Sequence, residues 1–250
     1  MSIKRVKQDF DYFTELPPVQ TPNDLPGLLF WLDATDINGT GSNPADGTPV
    51  ATWVDKSSNG FLFNRIDATE SPVLQATGFR GLPTVRVDDT MDGFQAPGTF
   101  SSPSGSYTVF FVGQQIESNI GGFNAYLFDL SGTDRFLFWL NDDNSPGFYY
   151  QNAFQGPPAI QDSSEVYATW IFDEARTPTA ELRINGVSVR TDANFVNTDL
   201  SSNARLGSRF TAEATTNFDG YMSEYFFYNR TLTAQEITLV ETYLKNKWGF

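Results

Sequence analysis

The 250-residue chain contains no histidine and no cysteine. Without cysteine there is no disulfide framework, and the joint absence removes the usual ligands of zinc, copper and iron–sulfur sites. Any bound metal would be a hard ion held by oxygen. The missing histidine also takes away the common base for a serine nucleophile. Long apolar runs are lacking too: no stretch approaches the roughly 18 apolar residues of a membrane span. The start, MSIKRVKQDFDYF, has positive charge but no apolar segment behind it, so no secretory leader is expected. Positive charge is scarce, with 16 Lys and Arg against 30 Asp and Glu, a net charge of −14. A nucleic-acid surface needs clustered Lys and Arg, so nucleic acid is excluded as a partner.

What is present is apolar and aromatic. At 40% hydrophobic content the chain can bury one large core, and no composition shift divides it in two. Asp outnumbers Glu 20 to 10. Asp bonds nearby backbone N–H groups in turns, so the acidity belongs to loops. Three positive charges, Lys4, Arg5 and Lys7, open the chain; residues 8–250 then carry 13 positive and 30 negative charges, −17. Phe10, Tyr12 and Phe13 follow, then LPPVQTPNDLPG with prolines at 17, 18, 22 and 26, which cannot donate ladder hydrogen bonds. Residues 1–26 are expected to form an extended arm, with those three basic and three aromatic residues as an assembly element, ahead of one domain at 27–250.

From Gly27 onward, short strands alternate with turn signals. The expected strands are Leu28 to Leu32, Val50 to Val54, Thr84 to Val87, Tyr107 to Val112, Ala125 to Leu130, Phe136 to Leu140, Phe148 to Gln151, Val166 to Phe172, Glu181 to Ile184, Val187 to Val189, Ala204 to Leu206 and Tyr221 to Tyr228. That number fits a sandwich. In RINGVSV, Asn185 and Gly186 supply the two positive-φ residues of a tight hairpin. The last strand is apolar on both alternating sets, with Met222, Phe226 and Tyr228 on one side and Tyr221, Tyr225 and Phe227 on the other, so both faces should be covered. Glu224 shares the first side. A helix follows, with Thr233 and Glu236 forming a capping box and Leu232 and Ile237 a hydrophobic staple. Ile237, Val240, Leu244 and Trp248 make its buried stripe, which leaves Glu241, Lys245 and Lys247 toward solvent.

The ordered segments LPGLLFWLDATD, VATWVDKSSNG, GFRGLPTVRVDD, LRINGVSV and FDGYMSEYFFYNRTLTAQE with YLKNKWG resemble the laminin-G-like, concanavalin A-like jelly-roll family found in bacterial and phage-encoded proteins. The resemblance spans roughly residues 27–250. It implies an all-β antiparallel sandwich of two curved sheets, about six or seven strands each, with one C-terminal helix packed beside them. It does not fix a function, because one fold hosts many. The glycosidases among these proteins carry a Glu-x-Asp-x-(x)-Glu triplet on a strand, which is absent here, and the lyases use a histidine. No catalytic residue is therefore assigned and no enzymatic activity is expected. Glu224 reads either as a lone buried acid or as a carboxylate paired with Arg or backbone donors.

Two binding sites are candidates. In DATDINGTGSNPADG, Asp33, Asp36, Asn38 and Asp46 resemble a calcium loop, although Gly47 replaces the bidentate Glu of an EF-hand; an Asp/Asn-rich surface loop is the alternative. Calcium is thus the one cofactor considered, and none is required. Trp139, Tyr149, Tyr150 and Phe154, with Asp142 and Asp143 of the NDDN turn, could bind glycan, rings stacking on a pyranose while acids take its hydroxyls; packing between subunits is the other role. The expected function is a non-enzymatic phage virion component, a capsid decoration or tail-associated protein assembling through its arm as a homo-oligomer with capsid or tail proteins. The alternative is a lectin-like module that binds polysaccharide at a cell surface or after secretion.

Overall fold

A computed structural model of the chain describes residues 21–88, 93–96, 100, 105–117, 119–120, 123–124, 126–129, 136–139, 147–150, 152–155, 163–194, 203–208 and 217–250. Among the described residues, eighteen strands, numbered in chain order, form two eight-stranded sheets and a hairpin. The first sheet holds β1 (Leu28–Asp33), β4 (Val73–Phe79), β5 (Leu82–Val87), β7 (Tyr107–Glu117), β14 (Glu165–Phe172), β15 (Ala180–Ile184), β16 (Val187–Asp192) and β18 (Asp219–Tyr228). The second holds β2 (Thr52–Val54), β3 (Leu62–Arg65), β6 (Phe94–Ala96), β10 (Phe128–Asp129), β11 (Phe136–Trp139), β12 (Gly147–Tyr150), β13 (Asn152–Gln155) and β17 (Ala204–Leu206). β8 (Asn119–Ile120) and β9 (Phe123–Asn124) make the hairpin. The strands of both sheets pair antiparallel. The result is the antiparallel sandwich with one C-terminal helix that the sequence implied.

All twelve expected strands are present, Ala204–Leu206 with the expected ends and the others with shifted ones. The strands that the sequence did not reveal are the polar or glycine-containing ones, such as β3 (LFNR) and β4 (VLQATGF), whose apolar alternation is too thin to register. Asn185 and Gly186 take φ of 49° and 80° in the turn between β15 and β16, as the hairpin required.

Two apolar cores explain why β18 is hydrophobic on both sides. Between the sheets lie Phe30, Trp53, Phe63, Phe94, Phe128, Trp170, Met222, Tyr225 and Phe227. On the outer face of the first sheet lie Trp31, Phe110, Tyr167, Phe226 and Tyr228, closed over by Ile237, Val240, Leu244 and Trp248 of helix α1 (Ala234–Trp248). Thr233 caps that helix through the expected reciprocal bonds with Glu236, and Gly249 ends it in the left-handed conformation at φ 73°.

Two expectations about this layer are corrected. A β-bulge between Met222 and Glu224, opposite β7, inserts Ser223 as an extra buried residue. Met222 therefore joins Tyr225 and Phe227 in the inter-sheet core, while Glu224, Phe226 and Tyr228 face the helix. Where β18 and β7 approach most closely only glycine fits: a β-carbon on Gly113 would strike the Tyr221 carbonyl oxygen, and one on Gly220 the Gln114 carbonyl oxygen. Secondly, Glu241 is buried and bonded to Arg183, and Lys247 turns its ammonium inward; only Lys245 of the three faces solvent.

Residues 21–26, the end of the expected arm, lie on the body. Tyr228 donates to the Pro22 carbonyl at 2.9 Å, Arg230 Nε to that of Pro26 at 2.8 Å, and Leu25 is buried in the helix-side core. Residues 1–20, with Lys4, Arg5, Lys7, Phe10, Tyr12 and Phe13, lie outside the described residues.

Candidate functional site

Among the described residues, α1 covers the outer face of the first sheet and no helix covers the outer face of the second. Its strand register aligns a row of polar residues across five strands: Thr52, Asn64, Gln95, Arg205 and Asp129. Residues directly opposite in an antiparallel ladder share a face, so their side chains are neighbours. Thr52 donates to Asn64 Oδ1 at 2.8 Å and Arg205 Nε to Gln95 Oε1 at 3.0 Å. Burial draws the Arg205 guanidinium below its ordinary pKa and the Asp129 carboxylate offsets this only in part, so the row sets one guanidinium beside its counter-charge. Asn64 is exposed, Thr52, Gln95 and Arg205 are half-buried, and Asp129 is buried.

The same register continues through Leu137 on β11, Tyr149 on β12 and Ala153 on β13, with Trp139 two positions along from Leu137. Trp139 and Tyr149 thus occupy register positions on the face of the polar row. Tyr150 falls on the alternate face with Phe128, as does Phe154. Asp142 and Asp143 lie outside the described residues. The sequence singled out Trp139 and Tyr149 but none of the polar row, because residues distant in the chain become neighbours only through sheet register.

The acids proposed for calcium are occupied within the protein. Asp33 Oδ2 meets Lys56 Nζ at 2.9 Å, and Oδ1 meets Lys247 Nζ at 2.9 Å and the Thr35 hydroxyl at 2.7 Å. Asp36 pairs with Lys56 at 3.3 Å and accepts from the Gly41 N–H, while Asp46 accepts from the Ala76 N–H. Asn38 is exposed. Among the described residues no three His, Cys, Asp or Glu side chains are grouped to hold a metal.

Asp33 belongs instead to a buried charge cluster beneath the C-terminal end of α1. Its register partner across β1 and β18 is Glu224, which is fully buried. Glu224 Oε1 accepts from Trp31 Nε1 at 2.8 Å, the Tyr243 hydroxyl at 2.9 Å and Lys247 Nζ at 2.8 Å; Oε2 accepts from Trp248 Nε1 at 2.5 Å. Burial pushes the Glu224 carboxyl up, and Lys247 only partly offsets this. For Asp33, burial works in the same direction but Lys247, Lys56 and Thr35 outweigh it, leaving the pKa below the usual carboxylate value. Glu224 is thus a paired carboxylate, with lysine and aromatic donors in place of the expected arginine or backbone.

Two clefts open elsewhere. One, of about 510 Å³, has Arg80 and Glu165 in its wall, and the other, about 390 Å³, has Arg176, Glu181 and Arg183 beside the start of α1. In both the charges neutralise one another, Arg80 with Glu165 at 2.8 Å and Glu181 with Arg176 at 2.6 Å and Arg183 at 3.3 Å. No helix among the described residues is long and apolar enough to cross a membrane.

Comparison with solved structures places the fold. Domain 4 of AbnA, an extracellular GH43 arabinanase from Geobacillus stearothermophilus solved with arabinotriose, is 14% identical at a TM-score of 0.54, over 85% of this chain and 97% of that one. The Trypanosoma rangeli sialidase is 12% identical at 0.56 over 88% of this chain, and the receptor-binding domain of botulinum neurotoxin D is 10% identical at 0.57 over 86%. The chain spans 33% of the sialidase chain and 52% of the toxin chain. No curated protein matches the sequence. A family model described as the concanavalin A-like lectin/glucanases superfamily matches residues 99–238, more than half of the chain, and with two facing antiparallel sheets already in view the chain belongs to that superfamily.

Proposed function

We propose that the protein is a non-catalytic carbohydrate-binding module that holds a polysaccharide on the outer face of its second sheet. The observation that carries this reading is the cross-strand row Thr52, Asn64, Gln95, Arg205 and Asp129, continued in register toward Tyr149 and Trp139. Amide, hydroxyl and guanidinium groups spaced by strand separation suit the hydroxyls of successive sugars, and aromatic positions beside them suit the apolar sugar faces. The arabinotriose complex of the similar arabinanase domain supports the same reading. Against catalysis stands the engagement of the buried acids: Glu224 is held by Lys247 and two indoles, and Asp33 by Lys56 and Lys247. A virion role through residues 1–26 gains no support from these similarities.

The test is affinity electrophoresis and calorimetry of the full chain against a panel of neutral polysaccharides. Binding to at least one is expected, weakened about tenfold or more by Arg205→Ala or Trp139→Ala, in line with about 1–3 kcal/mol for a well-placed polar or stacking contact. Absence of binding across the panel, or binding indifferent to both substitutions, overturns the assignment.

A further inference from the structure

We propose that Lys247 and Asp33 condense into an intramolecular amide cross-link, with Glu224 carrying the proton. Lys247 Nζ lies 2.9 Å from Asp33 Oδ1 and 2.8 Å from Glu224 Oε1, so nucleophile, electrophile and proton carrier already touch. All three are held by other contacts. Asp33 and Glu224 are opposed in the β1–β18 ladder, Thr35 donates to Asp33 Oδ1 through its N–H at 2.9 Å and its hydroxyl, and Lys56 donates to Oδ2. Trp31, Tyr243 and Trp248 fix Glu224. Such positioning replaces the encounter of two free groups by an effective concentration far above any attainable in solution. Lys56 also pairs with Asp36, whereas Lys247 sits on Glu224, which selects Lys247 as the nucleophile.

The reaction balances without a co-reactant. The Lys247 ammonium passes a proton through Glu224 to an Asp33 oxygen, and the freed nitrogen lone pair attacks Cγ of the now neutral Asp33 carboxyl. Negative charge building on the Asp33 oxygens is stabilised by Lys56 and by Thr35. The protonated Asp33 oxygen then leaves as water with a second ammonium proton, again relayed by Glu224, which returns to its carboxylate, and the nitrogen keeps the third proton as an amide N–H. The ion pair becomes a neutral amide, which removes the cost of keeping two charges out of water at a site where Asp33 is only 2% exposed. The bond would tie the first strand of the domain to its last helix, so that neither end could peel away alone.

Intact-mass spectrometry of the purified full chain tests this. The expected mass is one water below that of the sequence, and digestion should yield a branched peptide joining the segments that contain Asp33 and Lys247. Lys247→Arg and Asp33→Ala should each show their own full sequence mass, and Glu224→Gln should slow or abolish the loss. If Glu224→Gln fails to fold, the wild-type mass and Lys247→Arg still decide. A wild-type protein at full sequence mass overturns the proposal, as does a missing water that persists in Lys247→Arg or maps to an Asp–Gly step.

Discussion

Arg230 and Glu236 show how one residue pair anchors an element. Arg230 grips Glu236 through two bonds, at 2.7 and 2.9 Å, while Glu236 also accepts from the Thr233 N–H. Hydrogen bonding from Arg230 pulls the Glu236 carboxyl down from 4.5 to about 2. A depressed carboxylate adds stability above its unfolded value, and that stability is lost as pH falls through the folded one. Glu236→Gln keeps an amide able to close the capping box but loses the charge on the Arg230 bonds, and should therefore cost about 1 kcal/mol at pH 7. The cost should shrink as pH falls from 4.5 toward 2. Urea titrations of both proteins at pH 7 and pH 3 check this; an equal difference at the two values contradicts it. Thr233 and Glu236 were legible in the sequence because a capping box is local. The inward turn of Lys247 was not, because helical periodicity gives only the direction of the β-carbon, and a long side chain on a flank can still reach a buried acid.

At the scale of the element, β18 is the strand on which both cores depend, and its bulge decides which residues enter each. The alternating pattern showed that the strand is covered on both faces, yet it misassigned Met222, because a single inserted residue exchanges the faces of all positions on one side of it. Nothing in YMSEYF marks the insertion; it arises from pairing with β7, which lies more than a hundred residues earlier. Ser223 shares a 3.0 Å hydrogen bond with Thr84 inside the sheet. Ser223→Ala should then cost about 1–2 kcal/mol, the loss of one buried hydrogen bond. Deleting Ser223 removes the extra residue and makes Met222 and Glu224 neighbours opposite Gly113 and Val112, so ordinary alternation keeps Met222 in the inter-sheet core and Glu224 toward the helix. The deletion variant should therefore still fold, keeping its near-ultraviolet circular dichroism and a cooperative melt. Loss of both on deletion would show that the bulge itself is required.

For the whole molecule, the sequence disclosed the all-β class, the helix and the family, because these rest on many short-range patterns that agree. It disclosed little of the polar row, which exists only once β2, β3, β6, β17 and β10 lie side by side. It also suggested a calcium loop whose Asp33 and Asp36 oxygens are engaged by Lys56, Lys247 and the Gly41 N–H. A ligand that binds only the native state raises its melting temperature. Excess chelator is therefore expected to leave the melting curve unchanged, and a drop in melting temperature abolished by Asp36→Ala would reinstate the ion.

On the proposed binding surface, net charge would set which polysaccharides are held. The protein carries −14, and in the polar row the Arg205 cation is accompanied by Asp129. An anionic glycan approaching this surface meets repulsion from the body without a surplus of positive charge on the row to offset it, and the repulsion extends over a Debye length of about 10 Å at 0.1 M salt. A neutral glycan meets hydrogen-bond donors and acceptors whose strength salt barely alters. Binding to a neutral polysaccharide should accordingly change less than twofold between low and high salt. A uronate-rich polysaccharide of similar backbone should bind only weakly, improving as added salt screens the body. Arg205→Gln would remove the row's cation and leave Asp129 behind, so it should weaken acidic glycans further while neutral ones keep part of their affinity through Asn64 and Gln95. Calorimetric titrations at two ionic strengths separate these outcomes, and tight, salt-sensitive binding of an acidic glycan would place the binding surface elsewhere on the molecule.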